Sequence, residues 1–149
     1  MPAANEVQQK AGAVASRANR TLWLLFVLPL IGLGLAAYLW RAKTGAVELV
    51  CTALGDCLTV NMSVYADIAG IPVAAAGAGM YAVLVMLGGL VMLRQRTPRW
   101  VFSAGFMIAL AGAIFSLYLT GIEAFVLRAY CMWCLTSWVL VTVLALLWG

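Results

Sequence analysis

Cys131-Met132-Trp133-Cys134, preceded by Arg128-Ala129-Tyr130, opens the last hydrophobic segment of the chain and is the stretch best equipped to do chemistry. Cysteines at i and i+3 of a helix share a face and lie close enough for the short-range disulfide of a redox motif. At a helix N-terminus, unpaired N–H groups and the positive end of the dipole favour a thiolate, the form that attacks disulfides and electron-poor acceptors. Arg128 adds a positive charge just upstream, placed either to favour that thiolate or to sit in the headgroups with Glu123 as a weak surface ion pair. A second pair, Cys51 and Cys57, encloses five residues. A disulfide closing so short a loop stabilises little by chain entropy. Two external pairs therefore suggest a relay by thiol–disulfide exchange, one pair meeting a protein partner and the other an electron acceptor in the membrane. Convergence of the four sulfurs on zinc, handling of another soft metal, and two static disulfides in a non-catalytic membrane module remain open as other uses. The chain contains no histidine, which removes Ser-His-Asp and Cys-His nucleophilic machinery and histidine-ligated haem.

The elements that must position these thiols are set by composition. Of 149 residues, 66% are hydrophobic and 9% charged, with a mean hydropathy of +1.05. No water-soluble domain of this size carries such a surface, so the chain reads as an all-α integral membrane protein. Apolar stretches at about 21–40, 71–93, 100–122 and 130–149 are each long enough to cross roughly 30 Å of hydrocarbon, which predicts a four-helix bundle over 21–149. The first stretch lies behind a polar arm, 1–20, and is too long for a signal-peptide core; the arm itself is expected to be loosely ordered. Lys10, Arg17 and Arg20 in the arm and Arg94, Arg96 and Arg99 between the second and third spans make one side basic. By the positive-inside rule that side and both termini are cytoplasmic, so all four cysteines face the exterior, an oxidising compartment in a bacterial-type cell. The net charge of +4 is accounted for by these segment ends, without nucleic acid.

The external loop, 41–70, carries Cys51 and Cys57 and then Val60, Val64 and Ile68 at helical spacing. This predicts a short interfacial helix ending near Gly70, with Pro72 starting the next span. Periodicity equally allows a lid over a pocket and a helix that only seals the bundle. Ala74 to Gly79, and Gly105, Ala109 and Gly112, are small residues suited to close helix approach in lipid, and Pro29 is positioned to kink the first span.

Taken in order, Cys51-Thr-Ala-Leu-Gly-Asp-Cys57, Asn61-Met62-Ser63-Val64-Tyr65-Ala66, Gly70-Ile71-Pro72-Val73 and Cys131-Met132-Trp133-Cys134 resemble the bacterial vitamin K epoxide reductase family. The resemblance runs from the external loop to the C-terminus. It implies a bundle around a quinone (ubiquinone, menaquinone or a relative), acting in the inner membrane as a thiol oxidase that reoxidises a thioredoxin-like protein. Carried over by motif, Cys51 and Cys57 match the shuttle pair, Cys131 and Cys134 the active-site pair, and Ser63 the loop serine or threonine near the pocket. Cys51 would then exchange with the partner, Cys57 relay to Cys131, and Cys134 face the quinone as a thiolate. Where the vitamin K-reducing branch has a tyrosine one turn beyond the second active-site cysteine, this chain has Trp138. An indole there is suited to stack on a quinone or donate through its N–H, but it does not reproduce a phenol's acceptor role, so epoxide reduction is the runner-up activity. The thioredoxin-like domain that some bacterial relatives carry fused is not seen before Gly149, which implies a separate partner or a truncated chain.

Overall fold

The long apolar segments form helices that are as apolar on their outward faces as on their inward ones. The computed structural model describes residues 2–51, 56–94 and 97–149, with side chains from residue 19 onward. The side chains of Lys10 and Arg17, and Arg96 as a whole, lie outside the described residues. Helix α1 is Pro2–Lys43. After the loop come α2, Cys57–Asn61, a 3-10 turn, Val64–Ala66, and a two-residue hairpin of β1, Asp67–Ile68, on β2, Ile71–Pro72. Helices α3, Val73–Leu93, and α4, Arg99–Ile122, follow; α4 widens into a π-helical turn, Glu123–Leu127, ahead of α5, Met132–Trp148.

Among the described residues, three helical stretches are long and apolar enough to cross a membrane: Asn19–Lys43, Val73–Leu93 and Arg99–Leu127. Helix α5 is apolar but shorter, at 17 residues. Three of the four expected apolar stretches are thus helices of membrane-crossing length, and the fourth is a shorter apolar helix. Packing joins them: α1 lies against α3 and α5, and α4 against α5 and α3. Only a narrow stripe of each is buried, for example Leu25, Pro29, Gly32, Ala36 and Leu39 on α1, while Leu30, Ile31, Met86, Met107, Ile114 and Leu146 point outward. Outward apolar side chains of this size are stable against lipid, not water. The small-residue stripe of α4 packs as expected: Gly105, Ala109 and Gly112 are buried, and a Cβ on Gly105 would strike the Trp148 indole.

Two local expectations are corrected. The segment 2–20, expected as a loosely ordered arm, is helical backbone continuous with the first span. Its six alanines and two glutamines favour helix, and Pro2 fits a first turn that needs no N–H. The predicted interfacial helix ending near Gly70 is instead broken into α2, the 3-10 turn and the hairpin. Ser63 is extended (φ −68°, ψ 159°) and its hydroxyl donates to the Val60 carbonyl, 2.8 Å. Ala69 and Gly70 then turn the chain with φ of 52° and 80°. Local side-chain bonding of this kind competes with helix continuation, whatever the apolar spacing suggests.

Candidate active site

The cysteines gather at one end of the helices, in an apolar cluster of their own separate from the main core. Asp56 starts α2: its carboxylate accepts from the Thr59 N–H (3.1 Å) and hydroxyl (2.6 Å), which hold it below the usual carboxylate range. That cap fixes Cys57 at the first helical position, fully buried. Upstream, Cys51 is half-buried, and its neighbour Val50 is moored on both sides. The Val50 N–H donates to the Tyr38 hydroxyl (2.8 Å) and its carbonyl accepts from Trp133 Nε1 (2.9 Å). The Tyr38 and Trp133 rings meet edge-on at 5.6 Å. The loop bearing the first pair is thus tied to the residue between the members of the second.

Cys131 caps α5, its Sγ accepting from the Cys134 N–H at 3.4 Å. It is fully buried. The hydrogen bond from the Cys134 thiol, aided by that N–H and by the Cys57 thiol, brings Cys131 down to about 7 despite burial and the nearby charge of Glu123. For Cys57 the balance is opposite. Burial pushes its thiol up to about 11, with the Cys51 and Cys131 sulfurs adding to the effect and the Met132 N–H opposing it. The contacts run in series: the free thiol of Cys57 hydrogen-bonds with those of Cys51 and Cys131, and Cys131 with Cys57 and Cys134.

Behind Cys134 lies a cavity of about 220 Å³ between α1, α3, α4 and α5, with Val60 to Ala66 on its outer side. Its walls are mainly apolar, and Asn61, Ser63, Tyr81, Ser116, Glu123, Cys134 and Ser137 bring polar atoms to it. An apolar slot with a few convergent polar groups fits a flat ring bearing carbonyl oxygens. Asn61 is buried, its amide donating to the Leu39 carbonyl at 3.4 Å. Lys43 fastens this wall, donating to the Asn61 carbonyl (2.9 Å) and bridging Asp67 (2.8 Å).

Of the residues singled out in the sequence, Cys51, Cys57, Cys131 and Cys134 come together, and Ser63 lines the cavity. Trp138 does not line it; it is half-buried, and its neighbour Ser137 faces the cavity instead. A phenol reaches the cavity from α3 instead. Tyr81 bonds through its hydroxyl to the Ser137 carbonyl (3.1 Å) and hydroxyl (2.9 Å). Glu123 is the second correction. It is not in the headgroups with Arg128 but 3% exposed, its Oε2 accepting from the Cys131 N–H at 3.0 Å. Arg128 is exposed, in the left-handed conformation that ends the π turn. The signal missed for Glu123 was a lone acid flanked by apolar residues, which in lipid points to a functional position; Tyr81, a single hydroxyl within a span, carried no comparable signal.

Helices suited to lipid, a cysteine pair at a helix N-cap and an adjoining apolar cavity fit a membrane redox protein. The family model for the vitamin K epoxide reductase family matches residues 23–148, and the chain belongs to that family. Family membership makes it a membrane oxidoreductase of disulfide and quinone chemistry.

Proposed function

We propose that this protein reoxidises a thioredoxin-like protein through Cys51, Cys57, Cys131 and Cys134 in that order, delivers the electrons to a quinone and so supports disulfide formation. In this reading the four apolar helices form one transmembrane bundle in a bacterial-type inner membrane. Both termini are cytoplasmic, and the cysteine-bearing loop is external. The observation that carries the reading is the series of sulfur contacts ending at Cys134, the one cysteine among the described residues that lines the cavity.

A reduced partner thiolate attacks Cys51 of the Cys51–Cys57 disulfide, and the partner's second thiol resolves the mixed disulfide. Cys57 then attacks Cys131 of the oxidised active-site pair and displaces Cys134. Cys51 attacks Cys57 in turn, restoring the loop disulfide and releasing Cys131 as a thiolate. Each exchange moves one disulfide and two electrons inward. A bound quinone supplies the two-electron acceptor that reoxidises Cys131 and Cys134. Ser63, Asn61 and Tyr81 would hold it from the cavity walls, and Cys134 would face it.

The test is quinone reduction by purified protein supplied with a reduced thioredoxin-like partner, using ubiquinone and menaquinone analogues. Wild type is expected to reduce one or both, and Cys134→Ala neither; an active C134A variant would remove Cys134 from the path. A second reading, reduction of vitamin K quinone or epoxide, draws support from the Tyr81 phenol at the cavity. Turnover of vitamin K epoxide with a dithiol reductant distinguishes it.

A further inference from the structure

One buried acid of the site has no role in the relay as described. Glu123 is 3% exposed, and its Oε2 accepts the Cys131 N–H at 3.0 Å. The same carboxyl group is within hydrogen-bond reach of the Cys134 thiol and lines the cavity. Among the described residues the only salt bridge is Lys43–Asp67, so no cation neutralises Glu123. A buried carboxyl without a counter-charge exchanges protons with its neighbours instead of standing permanently ionised. The titratable groups facing it are Cys131 and Cys134 of the α5 N-terminus, Cys57 of α2 beyond Cys131, and, across the cavity, Tyr81 of α3 and Tyr65 of the 3-10 turn. The part of α1 that lines the cavity, Leu35, Ala36 and Leu39, carries no titratable side chain.

We propose that Glu123 is a catalytic acid–base residue of the active-site pair, giving its proton to the Cys134 sulfur when Cys57 displaces it from Cys131, and taking that proton back when Cys134 re-forms the disulfide. The proposal rests on the thiol-relay reading. In the opening step the Cys57 thiolate forms a bond to the Cys131 sulfur, the Cys131–Cys134 bond breaks, and the Cys134 sulfur leaves with the electron pair. The carboxylic proton of Glu123 neutralises it, leaving a carboxylate. Disulfide, thiolate and carboxylic acid are consumed, and a new disulfide, a thiol and a carboxylate are formed, with no external oxidant. The geometry accounts for the second bond as well. By accepting the Cys131 N–H, Glu123 holds the α5 cap in register with the sulfur it serves, an arrangement purely structural packing would not require at a cavity wall.

The experiment uses quinone-free protein, so it reads the thiol chemistry alone. The Cys131–Cys134 disulfide is opened through Cys51 and Cys57 by a soluble dithiol over a range of pH, and released Cys134 is followed by rapid alkylation and peptide mass spectrometry. Glu123→Gln keeps an acceptor for the Cys131 N–H but carries no acidic proton. It is expected to slow opening by about 100-fold and to flatten the pH dependence. Glu123→Asp is expected to restore part of the rate. In redox-difference infrared spectra, wild type should change the carbonyl band of a protonated carboxylic acid on reduction, and E123Q should not. An unchanged rate and pH profile in E123Q, or an infrared difference that persists in it, overturns the proposal. Trapping of a Cys57–Cys131 mixed disulfide in Cys51→Ala separates the two levels. If it forms and E123Q is unimpaired, only the role of Glu123 falls; if it does not form, the relay falls and the proposal with it.

Discussion

Cys57 and Cys131 meet with opposite tendencies, one thiol raised to about 11 and the other lowered to about 7. In the mixed disulfide of the proposed relay Cys131 would be the better leaving group, so attack by Cys51 on Cys57 would release the Cys131 thiolate. Two pH effects follow for the reduced protein. Between about pH 7 and 9 the unfolded chain holds a proton on Cys131 that the folded one has lost, so this thiol contributes stability that fades as pH falls through 7. Between 9 and about 11 the folded chain keeps the Cys57 proton that the unfolded one loses, so stability from this thiol declines as pH rises. Unfolding midpoints of the reduced protein in detergent should therefore rise from pH 7 to 9 and drop above it. Cys134→Ala removes the main donor to Cys131, and the alkylation midpoint of Cys131 should move up. The four cysteines were legible in the sequence because their spacing is itself the chemistry. Glu123 was not, because the π turn and left-handed Arg128 that carry it back over eight residues to Cys131 have no sequence signature here.

Helices were legible where run length decides them, and the loop was not, because there side-chain bonds decide. Val60, Val64 and Ile68 keep helical spacing, yet Ser63 and the Ala69–Gly70 turn divide them between three elements. The seam between α4 and α5 depends on the absence of a side chain. Gly105→Ala should destabilise the protein by about 1–3 kcal/mol, since its Cβ enters the Trp148 ring. Gly34→Ala, with nothing near its Cβ, should be neutral or slightly stabilising in the same detergent unfolding assay. Gly32 has a related part: a Cβ there would strike the Tyr81 ring, so Gly32→Ala is expected to displace the phenol from Ser137 and weaken quinone binding. The loop is held by Trp133 through Val50, and Trp133→Phe should speed alkylation of Cys51 several-fold while leaving the helices intact.

Across the whole molecule, a sheath suited to lipid surrounds narrow buried stripes, and the cysteine cluster and cavity occupy one end. The sequence conveyed the sheath through composition; the cavity, assembled from four helices and a folded loop, had no local signature. The sulfurs differ in access along their series. Cys51 and Cys134 at the ends are partly open, one beside the loop and one in the cavity, whereas Cys57 and Cys131 at the junction are 0% exposed. The crossing point is thus insulated. In the proposed relay, burial of Cys57 and Cys131 would keep a soluble thiol such as glutathione from the junction, so that current entering at Cys51 would not leak away before reaching Cys134.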